Sequence, residues 1–338
     1  MPKIEDWSNI ANDFTEGLVL GNGASIAFHE GFAYQSLLEE ARSKDLIKQD
    51  IQSIFDHLHT EDFERVLRML WNTTEINRAL KIKDKETKKA YKSVRTALVQ
   101  AVTTIHPVYT EISERLPLAA KFMKRFKMVV SLNYDLLVYW TMMHENNIRQ
   151  HRFKDCFTQN KDFNSNWQSY LSPHGYNTRS TLVFYPHGNL ALASDLNGRE
   201  MKLVARSSDL LNTISSEWES GEFTPLFVSE GTSKQKVAAI NRSHYLKTVH
   251  DSVLPKLGKR IAIFGWSLSA NDVHILRAIG RGNLTDVAVS VRTSEPKFKA
   301  KCSEIQRKIE NASNRKRVNV VFYDASSPEC WPSAARIS

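Results

Sequence analysis

Short apolar runs set between stretches of helical periodicity organise this chain. Gly17-Leu18-Val19-Leu20, Met128-Val129-Val130-Ser131-Leu132, positions 181 to 185, Pro225-Leu226-Phe227-Val228, Arg260-Ile261-Ala262-Ile263-Phe264, Asp286 to Val291 and Val318 to Tyr323 all read as short strands. Most stop abruptly at glycine, proline, asparagine or serine, as buried strands of an α/β sheet do. From Tyr34 to about Lys127 the spacing changes. Tyr34-Leu37-Leu38-Ala41, Ile51-Ile54-Phe55-Leu58, Phe63-Val66-Leu67-Leu70 and Val94-Ala97-Leu98-Ala101 repeat at three and four, which predicts consecutive helices and no strand.

Further helices are predicted from Ser207 to Glu217, from the loop after Val228 through Val253, from Val273 to Ile279 behind an Asn271-Asp272 cap, and from Pro296 to Asn311. Ile26 to Gly31 reads as a turn-like flap, 151 to 180 as an aromatic excursion over the crevice, and Asp195-Leu196-Asn197-Gly198 as a turn. Strand-helix alternation outside 34–127 implies a mostly parallel α/β sheet with helices on both faces. The domain expectation is therefore one unit built from 1–33 and 128–338, with a large helical insertion at 34–127.

Composition narrows the class. The 338 residues are 41% hydrophobic and 25% charged, the make-up of a globular protein. No apolar run reaches the ~20 residues a membrane span needs, and the opening Met-Pro-Lys-Ile-Glu-Asp-Trp lacks the form of a secretion signal, so a cytoplasmic location is expected. Cys156, Cys302 and Cys330 are far apart, with neither a disulfide framework nor a zinc ribbon in their spacing. The formal charge of +9 owes much to Lys81, Lys83, Lys85, Lys88, Lys89, Lys92 and Arg95. These occupy a run that reads as a solvated helix face and is not interleaved with stacking aromatics, so nucleic acid is not indicated.

Candidate chemistry gathers where the strands stop. Gly21-Asn22-Gly23-Ala24-Ser25 follows the first strand directly, and small residues there suit either a tight turn or a phosphate cradle. Asn133 and Asp135 end the second long run, where Asp135 could serve a ligand or cap the next helix. Asp62 at a helix start reads as a cap. Pro186-His187-Gly188 leaves a histidine, the side chain that titrates nearest neutrality, at a strand end.

Taken together, Gly21 to Ser25, Ser131-Leu132-Asn133-Tyr134-Asp135, Pro186-His187-Gly188 and Phe264-Gly265-Trp266-Ser267-Leu268-Ser269 resemble the sirtuin-like superfamily. In particular they resemble the bacterial sirtuin-like domains of anti-phage defence. The segments Phe28-His29 before Gly31-Phe32, and Phe227 to Ser233, are similar to those of a smaller bacterial subgroup within it. The resemblance spans residues 18 to 272 and implies a Rossmann-like crevice that binds NAD as substrate. Gly21, Asn22, Gly23, Ala24 and Ser25 would line the pyrophosphate, and Gly265, Ser267 and Leu268 the adenosine side. Asn133 and Asp135 would lie around the nicotinamide ribose and carboxamide, and His187 would be the catalytic histidine.

Departures from the family shape the expected reaction. Zinc-bearing sirtuins carry four cysteines after the His-Gly element, and only Cys302 and Cys330 follow it here. No metal is expected, and an acyl-peptide groove loses support. Water then becomes the acceptor, which implies NAD glycohydrolysis to nicotinamide and ADP-ribose, as an effector of abortive infection in antiviral defence. The alternatives are an NAD or ADP-ribose sensor without turnover and an NAD-dependent protein deacylase. Such an enzyme needs restraint, so weak activity until a trigger is expected, with a homo-oligomer or a HerA-type ATPase as partner through the helical insertion.

Overall fold

In the computed structural model, residues 3–32, 37–148, 152–171, 180–195, 197–205, 209–228, 232–293, 298–314 and 317–332 are described. Parts of the sequence expectations lie outside them: Tyr34, residues 151 and 172–179 of the excursion, Leu196, Ser207, Pro296, and the loop residues Ser229-Glu230-Gly231. The chain opens with β1 (Ile4–Glu5), α1 (Trp7–Ile10), β2 (Gly17–Leu20) and α2 (Asn22–Phe28). Among the described residues of the insertion only helices follow: α3 (Leu37–Ser43), α4 (Gln49–His57), α5 (Phe63–Ala79), α6 (Glu86–Ile105), α7 (Tyr109–Ile112) and α8 (Leu116–Met123).

The sheet resumes with β3 (Met128–Ser131), α9 (Leu137–Ile148), β4 (Arg152–Lys154) and β5 (Ser180–Phe184). A second set comprises β6 (Gly188–Asp195), β7 (Glu200–Lys202), α10 (Leu210–Ser220) and β8 (Phe223–Phe227). Then come α11 (Ser233–Ile240), α12 (His244–Thr248), β9 (Arg260–Phe264), α13 (Val273–Gly280), β10 (Asp286–Val291), α14 (Phe298–Ala312) and β11 (Asn319–Asp324).

Eight strands form the main sheet in the order β1-β11-β10-β9-β2-β3-β5-β4, every neighbouring pair parallel. This is the α/β, Rossmann-like architecture read from the sequence. β2 and β3 are buried at every position, and β9 at all but its first, because helices cover both faces of such a sheet. The chain leaves β2 toward β3 on one side and extends from β9 to β10 on the other. That reversal puts the switch point of the sheet, where folds of this kind bind their ligands, at the carboxyl ends of β2 and β9, beside β3 and β5.

Several features differ from the sequence reading, which held no strand at β6 or β7. Residues 22–28, taken as loop and flap, form α2. Within the excursion, β4 adds a parallel edge strand to β5. The run at Pro225 does not join the main sheet: β8 pairs antiparallel with β6 in the order β7-β6-β8. The polar lead supplies β1 at the opposite edge. Apolar residues of the insertion, among them Leu38, Phe55, Val66 and Leu98, join one continuous core with the sheet, and α5 and α6 pack on β8 and α10.

Candidate active site

β2 ends where its chain must pass β9. The Gly21 N–H donates to the Phe264 carbonyl at 2.9 Å and the Gly23 N–H to the Gly265 carbonyl at 2.8 Å. A Cβ at Gly21 would come within 2.5 Å of the Trp266 backbone, so glycine here serves a close crossing of two strand exits. Of the five residues expected at the pyrophosphate, Asn22 is exposed, Gly23 half-buried, and Gly21, Ala24 and Ser25 buried. Ala24 N–H turns back to the Gly21 carbonyl, and Ser25 points toward β3.

Across the crossing, Gly265 is half-buried, Ser267 exposed and Leu268 buried. Leu268 has φ +50°, and its carbonyl accepts from Lys308 Nζ at 3.0 Å. Beside it lies a pocket of about 310 Å³ lined by Trp266, Leu268, Ser269, Asp272, Arg277 and Lys308 among others.

The exit of β3 is tied to that of β2 by side chains. Asn133 Nδ2 donates to the Gly21 carbonyl at 3.0 Å and to Ser25 Oγ at 2.7 Å, and Ser25 Oγ donates to Asp135 Oδ2 at 2.6 Å. Both amide hydrogens of Asn133 are thus committed, and what it can offer a ligand is Oδ1, an acceptor. Asp135 Oδ1 accepts from Leu137 N–H at 3.0 Å, a capping contact at the start of α9. Burial pushes the Asp135 carboxyl up to about 6, against the hydrogen bonds from Ser25 and Leu137. With both oxygens occupied, Asp135 acts on the site through Ser25 and Asn133.

His187 stands at the turn after β5. Gly188 has φ +77°, and a Cβ there would meet the Leu226 carbonyl oxygen at 2.0 Å. Only glycine lets the chain reverse from β5 into β6 at this point. The backbone carbonyl of Leu132, the residue before Asn133, acts on the imidazole and opposes part of the fall in its pKa. Burial first, then the ammonium of Lys236, lowers the His187 pKa to about 3 and keeps the ring neutral. Asp272 Oδ1 is 3.9 Å from its Nε2, but a neutral imidazole makes no ion pair.

Several members of this site were not singled out in the sequence. His274 Nε2 lies 3.1 Å from His187 Nε2, and Ser233 Oγ lies 3.1 Å from His274 Nδ1. Lys236, buried on α11, donates to Asp272 Oδ1 at 2.9 Å. Asp272 does stand before α13, as expected of a cap, yet its carboxylate turns to Lys236. Asp62 caps α5 by accepting from Arg65 N–H; burial raises its carboxyl to about 6, with Lys236 among the cations opposing that rise. His106 Nε2 accepts Leu136 N–H at 3.0 Å, and Asn189 Nδ2 donates to the Asp135 carbonyl at 2.6 Å. These two brace the strand exits from behind.

The local sequence holds one usable signal for them: Asn189 directly follows the His-Gly turn. His106, Lys236 and His274 arrive from distant helices, and nothing beside them in the chain marks them. Among the described residues no group of three or more His, Cys, Asp or Glu side chains is placed to hold a metal ion. The Lys236 ammonium beside Asp272 would itself repel a cation from the two histidines.

The chain matches the family described as a domain of unknown function (DUF4917) over residues 18–331, and it belongs to that family. No curated protein matches it.

Proposed function

We propose that this member of the DUF4917 family is an NAD+ glycohydrolase, releasing nicotinamide and ADP-ribose. The observation that carries the reading is the hydrogen-bond network that ties Asn133 to Gly21 and Ser25, and Ser25 to Asp135, at the switch point of the sheet, with the buried His187 at the neighbouring exit of β5. Asn133 is itself fastened to Gly21 and Ser25, so the exits of β2, β3 and β5 hold one constellation.

Breaking the bond from C1′ of the ribose to the nicotinamide nitrogen leaves positive charge on the sugar. The electron pair departs with nicotinamide, water supplies the new C1′–O bond, and one proton is released. Asn133 Oδ1 accepts from that water or from a ribose hydroxyl and fixes its direction. His187, neutral at physiological pH, takes the proton as general base. Asp135 holds Ser25 and thereby Asn133, which orients the ribose and carboxamide end from behind. Gly21 to Ser25 border the pyrophosphate, while Gly265, Ser267 and Leu268 with the neighbouring pocket border the adenosine side.

In this reading the protein is a restrained cytoplasmic effector of anti-phage defence that depletes NAD, self-associating or meeting an ATPase partner through the insertion. His187→Ala and Asn133→Ala should each lower nicotinamide release by ~10² or more while the far-ultraviolet circular dichroism is retained. Parental turnover in a folded His187→Ala, Asn133→Ala double variant would sink the assignment. A sensor that binds NAD or ADP-ribose without turnover is the second reading, favoured by the engagement of His187 Nε2 with His274. Nicotinamide measured over hours with protein in excess of NAD separates the two.

A further inference from the structure

The pocket beside Leu268, about 310 Å³ in volume, lies between α13 and α14. Two of its residues tie it to the strand exits. Trp266 lines it, and the backbone of the same residue is what a Cβ at Gly21 would strike at 2.5 Å. Asp272 lines it as well, and its Oδ1 is 3.9 Å from His187 Nε2. A dinucleotide whose pyrophosphate borders Gly21 to Ser25 therefore has this pocket next to it on the β9 side, where its adenosine end falls.

The lining has an apolar part and a cationic part. Trp266, Leu268, Val273 and Leu276 suit the flat body of a purine. Arg277 lines the pocket from α13; it is exposed and makes no ion pair among the described residues. Lys308 lines it from α14, donates to the Leu268 carbonyl at 3.0 Å and lies 2.7 Å from Glu304 Oε1. An ammonium has three hydrogens, so one is left over. Among the described residues of the lining there is one carboxylate, and both its oxygens are engaged. Asp272 Oδ1 accepts from Lys236 at 2.9 Å, and Oδ2 accepts from Ser269 Oγ at 3.3 Å.

Selecting NAD over its 2′-phosphate ester calls for a carboxylate that accepts the free ribose hydroxyl and repels phosphate, whereas selecting the ester calls for cations. This pocket supplies the cations. We propose that it receives the adenosine end of the dinucleotide in its 2′-phosphorylated form, with Arg277 and Lys308 as the phosphate ligands, so that NADP is preferred over NAD. The inference rests on the NAD reading and names the substrate within it. The planar fork of Arg277 takes two phosphate oxygens and the remaining hydrogen of Lys308 a third. The bonds that change are those already described: the C1′ bond to nicotinamide breaks, water adds at C1′ and one proton leaves. The products become nicotinamide and 2′-phospho-ADP-ribose.

The test uses the full chain and a pair of probes that differ only in the 2′-phosphate, adenosine 2′,5′-bisphosphate and 5′-AMP. Calorimetry should show the bisphosphate binding ~10-fold or more tightly than 5′-AMP, and kcat/KM should favour NADP over NAD by a similar ratio. Arg277→Ala, a change at an exposed side chain whose fold circular dichroism checks, should bring both ratios to within ~2-fold of unity. Lys308→Gln, which keeps an N–H donor and loses the charge, should lower both by less. A parent that binds the two probes equally would overturn the proposal. So would a preference for the bisphosphate that survives in Arg277→Ala and Lys308→Gln alike, because the phosphate would then sit elsewhere. Selective binding of the bisphosphate that is lost in Arg277→Ala, with neither dinucleotide cleaved by the parent, would uphold the pocket and sink the hydrolase reading.

Discussion

Burial decides what the titratable side chains of the crevice can do. His106, His187 and His274 are held at about 4, 3 and 4, below the ordinary imidazole value of 6.5, because the charged ring would lose its water. The unfolded chain takes up protons at these positions near pH 6.5 and the folded chain does not. Their contribution to stability is therefore complete above pH 6.5 and lost as the pH falls from there toward 4. Asp62 and Asp135, raised to about 6, work in the opposite sense. Their neutral forms favour the fold below pH 3.8, and that contribution disappears as the pH rises through 6. The three histidines outweigh the two carboxylates, so the urea midpoint should drop between pH 6.5 and 4. His106→Gln, outside the proposed catalytic set, should make the drop shallower. A midpoint that stays flat over this window would mean that the rings are not held neutral.

At the scale of elements, the turn between β5 and β6 has the least tolerance. Gly188 pairs with Phe227 of β8, and the register then slips before Ala193, so the small sheet begins at the residue after His187. Gly188→Ala combines a left-handed backbone with a collision against the Leu226 carbonyl. It should cost ~2 kcal/mol or more in urea unfolding and lower NAD turnover through its neighbour. A variant as stable as the parent would mean that the turn can relax. The elements the sequence concealed have local reasons. Asn189-Leu190-Ala191-Leu192-Ala193 lacks β-branched residues, so β6 is set by long-range pairing with β7 and β8. α2 contains Gly23 and Ser25, weak helix formers, and is a helix because Gly23 N–H and the β9 exit anchor its first turn. β4 has three residues, too few for a pattern of its own.

For the whole molecule, the insertion joins the same core as the sheet and yet keeps apolar side chains outside. Met69 and Ile76 on α5 are 41% and 58% exposed, and Leu80 and Ile82 just beyond it are 65% and 53% exposed. Flanking charge keeps this stripe wettable, and self-association would cover it. Light scattering should therefore give a mass above the 38.7 kDa of one chain, and Ile76→Glu with Leu80→Glu should restore the monomer. A parent that stays monomeric across micromolar concentrations would remove the oligomer from the proposal. No described helix is long and apolar enough to cross a membrane. Strand runs such as Leu18 to Leu20, Val129-Val130 and Ile261 to Phe264 made the parallel sheet legible, because strands covered on both faces are apolar without interruption. The helical insertion was legible for the same kind of reason, as its period is local. Strand-end positions Asn133 and His187 could likewise be named from the chain alone. What these side chains touch could not, since each contact is made with a residue far away in sequence. Only folding brings Ser25 to Asp135, Lys236 to Asp272 and His274 to His187, and only burial in that company keeps the two imidazoles neutral.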